Sequence, residues 1–316
     1  MRIIAVLLAP ICFGLFFVYG SFASSEVDRA RDGLKGSVQA VVLKHTNKGI
    51  IYAAKKDVYG PLGNKIEHSS SYYDQKGELE HETRSVYTYD VEGRHISSIV
   101  NSKNGTILVT TLFGYDKNEN QVASVKYKAD GSLARITIST FDDNRREIES
   151  VDYYWKPNIE IVRVVYTDDG QGNRSEITYR SGSLERKDVD TMDMQGHRTK
   201  RLWYGPDGSL KASWLWHYDN SGNWIKEVAL KSDGSVESRM LMKYDGNGNM
   251  TEETRYKGNS SPESRLVITY EYDAVGNWIK QTSVIWKGEN KKPSDEGYSA
   301  DRVITYYSTE SERLKK

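Results

Sequence analysis

Between Val236 and Tyr244 the side chains alternate. Val236, Ser238, Met240, Met242 and Tyr244 point one way; Glu237, Arg239, Leu241 and Lys243 point the other. A period of two is that of a strand with one half-buried face. Trp224 to Lys231 precedes it without a breaker, and Asp233-Gly234, a strong hairpin dipeptide, joins the two. Upstream lies a different turn, Asp219-Asn220-Ser221-Gly222-Asn223. Its Asp can accept a hydrogen bond from the backbone two residues on, and its Gly can take φ > 0 without a Cβ clash. The stretch Tyr218–Lys243 is therefore one unit of turn, strand, tight turn and strand.

The unit is copied along the chain. The turn aspartate recurs at Asp90, Asp116, Asp142, Asp169, Asp193, Asp219, Asp245 and Asp273, with gaps of 26, 26, 27, 24, 26, 26 and 28 residues. Tyr73-Asp74-Gln75-Lys76-Gly77 reads as a truncated first copy. The full turn returns as Asp245, Gly248 and Asn249, and as Asp273, Gly276 and Asn277, beside Gly222 and Asn223 of the first example. These positions are assigned a structural role. The unit after Asp142 lacks the turn glycine, and the last unit carries a polar insert from Lys287 to Tyr298 before a strand from Arg302 to Tyr307. A fixed period in this range marks a repeat architecture.

About nine units make roughly eighteen strands, and short connections require antiparallel neighbours. Open twisted sheets rarely pass about ten strands without curling, splitting or closing. The expected fold is all-β: a long antiparallel meander of about nine hairpin repeats, curling into a curved or spiral sheet. Tyr, Trp, Met and Val are expected on its inner face, and Lys, Glu, Arg and Ser outside.

The ends break the pattern. After Met1-Arg2, Ile3 to Tyr19 is almost wholly apolar, and Ser21-Phe22-Ala23 has the spacing a signal peptidase reads. Residues 1–23 are expected to be a signal peptide cleaved after Ala23; an uncleaved anchor is the alternative. Residues 24–70 hold strands at Ser37–Lys44 and Ile50–Asp57 and read as an irregular hairpin capping the open end of the array. Residues 71–307 are the repeats, and 308–316 a charged tail.

Composition narrows the function. There are 44 basic and 44 acidic side chains, so no basic excess points to nucleic acid. Cys12 is the sole cysteine and lies in the leader, where Ile11 departs from a lipoprotein box. The mature chain would have no disulfide and no thiolate metal site. Membrane contact is expected only through an uncleaved leader.

The Tyr-Asp-x-x-Gly-Asn unit resembles the YD repeat of the Rhs and toxin-complex proteins, also seen in teneurins. The best matches are Tyr218–Asn223, Tyr244–Asn249 and Tyr272–Asn277, with weaker ones at Tyr89-Asp90 and Tyr115-Asp116. The opening Gly33–Val38 is similar to the start of exported bacterial proteins of this kind. The resemblance covers about residues 33–307 and implies a repeat-built β wall. The signature segment and toxin domain of the large Rhs shells have no counterpart.

Candidate chemistry is sparse. By alternation Trp214, Trp216, Tyr218 and Trp224 share a face, with Trp203 on the opposite, more polar one. The cluster either offers a stacking platform for sugar or peptide or fills the core of the coiled sheet. Asp245–Asn249 resembles the front of a calcium loop, but Met250 and Tyr256 stand at its sixth and twelfth places, where Gly and Glu are needed. His95 and His197 read as solvated turn residues. No nucleophile elbow or metal-ligand spacing is present. No cofactor, metal or catalytic activity is expected. The expected protein is an exported, non-enzymatic repeat protein of the periplasm or cell surface, presenting a β surface to a protein or glycan partner. The alternatives are a stand-alone toxin-shell-like cage or adaptor, and an outer-membrane β-barrel.

Overall fold

The computed structural model describes residues 27–155, 158–288 and 298–308. The leader, residues 156–157, most of the last insert and residues 309–316 of the charged tail lie outside the described residues.

A five-residue helix, α1 (Val27–Arg31), precedes twenty strands. They are β1 (Val38–Asn47), β2 (Ile50–Tyr59), β3 (Lys65–Tyr73), β4 (Leu79–Tyr89), β5 (His95–Ser102), β6 (Ile107–Tyr115) and β7 (Gln121–Lys128). The middle of the wall is β8 (Leu133–Phe141), β9 (Glu147–Trp155), β10 (Ile159–Asp168), β11 (Asn173–Arg180), β12 (Ser183–Met192), β13 (Arg198–Tyr204) and β14 (Leu210–Tyr218). The last are β15 (Trp224–Lys231), β16 (Val236–Tyr244), β17 (Met250–Lys257), β18 (Pro262–Tyr272), β19 (Trp278–Lys287) and β20 (Tyr298–Tyr306).

Each strand pairs antiparallel with the next, and β20 pairs with β1, from Val38↔Tyr306 to Asn47↔Tyr298. The meander is as expected, but the curved or spiral open sheet is not: the wall closes into a barrel. The segment assigned to cap an open end supplies β1 to β3 and completes the ring. Closure leaves no unpaired edge, the liability that any open sheet must manage. Twenty strands about 4.8 Å apart and tilted by about 40° give a round section about 40 Å across.

The aspartate turns from Asp90 to Asp273 all follow even-numbered strands and lie on one rim; the truncated first copy at Asp74, between β3 and β4, lies on the other, and all share one hydrogen-bond pattern. In the type example Asp219 Oδ1 accepts the backbone N–H groups of Ser221 and Asn223, each at 2.9 Å. The same two contacts recur at Asp74, Asp90, Asp116, Asp142, Asp169, Asp193, Asp245 and Asp273. The fourth turn residue is left-handed, as at Gly222 (φ 80°). Two units that lack this glycine still take the conformation, with Glu119 at φ 66° and Arg145 at φ 63°.

Exposure fixes which face is inside. On β10, Ile159, Ile161 and Arg163 are exposed while Glu160, Val162 and Val164 are not. β16 and β20 repeat this, with Leu241, Lys243, Val303 and Thr305 exposed. Side chains crowd on the concave side of a curved sheet, so the sheltered set faces inward. The inner face carries Met240, Met242 and Tyr244, as expected, but also Arg135, Asp152, Arg186, Asp188, Asp190 and Arg201. The outer face carries an apolar middle row in its hairpins, such as Leu112↔Val125, Ile138↔Val151, Val189↔Leu202 and Val267↔Val284. The expected sorting of aliphatic from charged side chains therefore fails. A closed wall this wide has no packed apolar core to fill, and neither face is wholly apolar.

The seam is locked from the amino-terminal end. Leu34, Val38, Val41 and Tyr59 form a buried cluster with Ile304 and Tyr306 against it. Asp32 accepts from Tyr59 Oη and pairs with Lys65 Nζ at 2.8 Å. Burial first, then Asp32, pushes the Tyr59 hydroxyl far above its ordinary value. Asn277, only 2% exposed, accepts from Lys35 N at 2.7 Å and donates to Lys35 O at 2.8 Å and Tyr306 Oη at 2.7 Å. At Asn120, Asn173 and Asn223 this turn Asn donates to its own Asp; at the seam it grips the segment before β1 instead.

Asn277→Ala leaves these buried groups unmet and should cost about 2–3 kcal/mol, read as a lower denaturant midpoint, while the exposed Asn220→Ala leaves the midpoint unchanged. Acid tests the turns. Hydrogen bonds, from Asn223 to Asp219 and from Asn173 to Asp169, hold these carboxyls below their ordinary range. A carboxyl depressed in the folded state stabilises fully above its unfolded value, near pH 4, and that share is lost as pH falls through the folded value. The midpoint should drop between pH 5 and pH 3 (both about a unit from that value), and Asp219→Asn should show a smaller drop.

Candidate functional site

The densest inner-wall chemistry lies on β11 to β15. Register places Arg174 opposite Asp190, Asp190 opposite Arg201, Asp188 opposite Trp203, and Arg201 opposite Trp214. Asp190 takes a bidentate bond from Arg201, at 2.6 and 2.7 Å, and lies 2.9 Å from Arg198. Asp188 is fully buried and is held by Arg186, with one contact at 2.7 Å. The bond to Asp188 drives the Arg186 guanidinium upward, and that to Asp190 does the same for Arg201. The guanidiniums also cover rings: Arg186 lies 5.7 Å from the Trp203 centroid and Arg198 5.8 Å from that of Trp216. Trp216 donates to Glu227 Oε2 at 2.9 Å.

The four tryptophans singled out in the sequence fall in this region. Trp214 and Trp216 are inward and half-buried, as alternation requires. Trp224 stands opposite Tyr218, and its indole N–H bonds Lys226 O at 3.1 Å. Trp203 is not on the opposite face. A bulge between Trp203 and Tyr204 shifts the register, so Trp203 pairs with Ala212 and shares the inner face with Trp214. One extra residue flips every side chain beyond it, and counting along the sequence cannot detect that. Trp203 Nε1 is buried with no hydrogen-bond partner among the described residues.

Next to this patch, at the tyrosine–aspartate rim, a hollow of about 420 Å³ is lined by Asp193, His197, Trp216, Tyr218 and Asp219, among others. His197 stacks on Tyr218 at 4.7 Å, and its Nδ1 lies 3.1 Å from Asp193 Oδ2. His95 packs 4.5 Å from Phe113, and burial holds its imidazole below the ordinary value. Neither histidine is a freely solvated turn residue.

The repeat tyrosines have a role that spacing did not reveal. Tyr115, Tyr218, Tyr244 and Tyr270 each donate to a backbone carbonyl twenty residues back: His95, Arg198, Trp224 and Met250. Each staples one hairpin to the strand beside it. The inner arginines and aspartates were also missed, because no local motif marks residues that meet only across strands. The turn residues Asp90, Asp116, Asp245, Gly248, Asn249, Asp273 and Gly276 stay in the rim and converge on no common point. Among the described residues no group of His, Cys, Asp and Glu is placed to hold a metal.

No family model matches the chain, and no curated protein does. Among solved structures, a porin-like protein from Bacteroides uniformis aligns over 86% of this chain and 99% of its own, at 9% identity and TM-score 0.38. A porin-like protein from Bacteroides vulgatus aligns over the same shares, at 11% identity and TM-score 0.23. The TcdB2-TccC3 structure aligns over 78% of this chain at 13% identity and TM-score 0.32, and the alignment spans only 16% of that longer chain. At these similarities no family is assigned.

The Asp188 pair gives a direct test. Arg186→Met strands a buried carboxylate and should cost about 3 kcal/mol, whereas Arg186→Met with Asp188→Leu should recover most of it. Chemical denaturation of the three proteins measures both effects.

Proposed function

We propose that this chain is a non-enzymatic β-barrel of the cell envelope that receives an extended segment of a partner polypeptide against its inner wall. Closure favours a barrel over an open presenting surface. The observation that carries the reading is the inner patch on β11–β15. It offers carboxylates, guanidiniums and indoles together, with the charges already paired. Such a wall can bond a peptide backbone and stack its side chains without selecting for one sign of charge. A section about 40 Å across leaves room, after wall side chains, for a helix or hairpin about 10–12 Å wide. The YD-type resemblance to toxin shells agrees with a cage or adaptor role.

A second reading, an outer-membrane barrel, is favoured by the closed ring and by strands of 7 to 11 residues. A lipid-facing wall needs an apolar band about 25 Å tall. Here the outward apolar row lies between Lys187, Arg239 and Arg265 on one side and Lys200, Lys226 and Glu252 on the other, with same-face positions about 7 Å apart along a strand. That favours an aqueous setting.

The test uses the chain from Ser24 onward, purified without detergent, with a reduced, carboxymethylated and permanently extended polypeptide as probe. A photo-crosslinker at inward Ser150 should capture the probe, and one at outward Thr110 should not. Trp216→Ala should weaken binding about tenfold, the scale of one aromatic contact. Equal capture from both positions defeats the lumen reading; a chain that is soluble only in detergent and floats with vesicles establishes the membrane one.

A further inference from the structure

The outer wall carries a second pattern that the lumen reading does not use. At the register position nearest the far rim, each hairpin that closes at the tyrosine–aspartate rim pairs two outward residues. The pairs are Arg84↔Asn101, without a ring, then Thr110↔Tyr127, Ile136↔Tyr153, Arg163↔Tyr179, Lys187↔Tyr204, Ser213↔Leu230, Arg239↔Tyr256 and Arg265↔Trp286. From β10 onward a basic residue stands beside the ring in four of the five pairs, and Ser213↔Leu230 has neither. The repeat has thus built an outward ladder of aromatics on alternate strands from β7 to β19, interrupted at β15.

The ladder borders a concave site over β17–β19, where a groove of about 550 Å³ is lined by Glu252, Thr254, Tyr256, Pro262, Arg265 and Trp286, among others. A bulge opposes Tyr256 to Pro262, and Thr254 is buried. Each ring is steadied by an arginine, Arg239 lying 4.6 Å from the Tyr256 centroid and Arg265 5.8 Å from that of Trp286. Arg265 also donates to Glu252 Oε2 at 2.7 Å, and that bond holds the Glu252 carboxyl below its ordinary range. The groove therefore contains two half-buried aromatic rings and, between them, a fixed ion pair offering both donors and acceptors.

We propose that this groove binds a flat, extended, uncharged polysaccharide. The C–H faces of pyranose rings pack on aromatic rings, and their hydroxyls both donate and accept, as the Arg265–Glu252 pair requires. Because Arg265 is already neutralised, the groove has no call for an anionic ligand. Tyr256 and Trp286 stand two strands apart, about 10 Å, so a chain crossing β18 meets them with alternate sugars. A flat ribbon keeps alternate rings on one side; a helical glucan turns them away. A lipid surface fits less well, because polar turns such as Asp207-Gly208 and Asp233-Gly234 project beyond the ladder at the same rim.

The site is independent of the lumen, and its test is separate. Calorimetric titration of the chain from Ser24 onward with chitohexaose, cellohexaose and maltohexaose should show binding of a flat β-linked hexamer and none of maltohexaose. Trp286→Ala and Tyr256→Ala should each weaken it about tenfold. Trp286→Phe should keep the affinity but lose any ligand-induced change in tryptophan emission, which covers the case where Trp286→Ala does not fold. Trp216→Ala, inside the barrel, should change nothing. The proposal is overturned if neither β-linked hexamer binds, if maltohexaose binds equally, if Trp216→Ala abolishes binding, or if anionic phospholipid vesicles compete through Tyr256 and Trp286.

Discussion

One carboxylate oxygen accepting two backbone N–H groups sets the geometry of nearly every turn on one rim. In the nine aspartate turns, eight of them on that rim, the aspartate fixes the chain reversal, and the left-handed fourth residue returns the chain in register. A turn of this kind imposes its conformation even where Glu119 and Arg145 must adopt a backbone that glycine takes freely. The carboxylate gathers the N–H donors, and at Asp116, Asp219 and Asp245 the tyrosine before it reaches back twenty residues to tie the new hairpin to the last. Local hydrogen bonding thus becomes a nearest-neighbour lattice, which is how repeat arrays accumulate stability.

Closure follows from that lattice but is decided at a single seam. The segment Gly33–Ser37 lies across the last aspartate turn, where Asn277 has abandoned its usual partner to hold Lys35. Leu34 and Tyr59 fill the angle beneath. With β20 paired to β1 the wall needs no covering layer. Arginine–carboxylate pairs line the inside, and valines and leucines form a narrow row outside. Burial of Asp188 beside Arg186 is tolerable under these conditions because its partner is in place; an unpaired carboxylate there would be costly.

The two proposed surfaces are products of the same repeat. Within a hairpin, inward positions are free to vary and have become a mixed polar and aromatic patch on β11–β15. The outward position nearest the far rim carries an aromatic in most copies, and over β17–β19 it borders a groove. A repeat thereby supplies spacing, and its irregularities supply sites.

The sequence by itself determined the unit, its period, the turn aspartates and the antiparallel order, because these rest on contacts within about five residues or between adjacent strands. It also placed Trp214 and Trp216 correctly on one face. It could not place Trp203, since a one-residue bulge inverts everything counted past it. It could not foresee Asn277 bonding Lys35, 242 residues away in the chain. Whether a meander curls or closes depends on accumulated twist and on one long-range pairing between its ends. No local pattern encodes that sum, so the barrel, its inside and its outside were decided only in three dimensions.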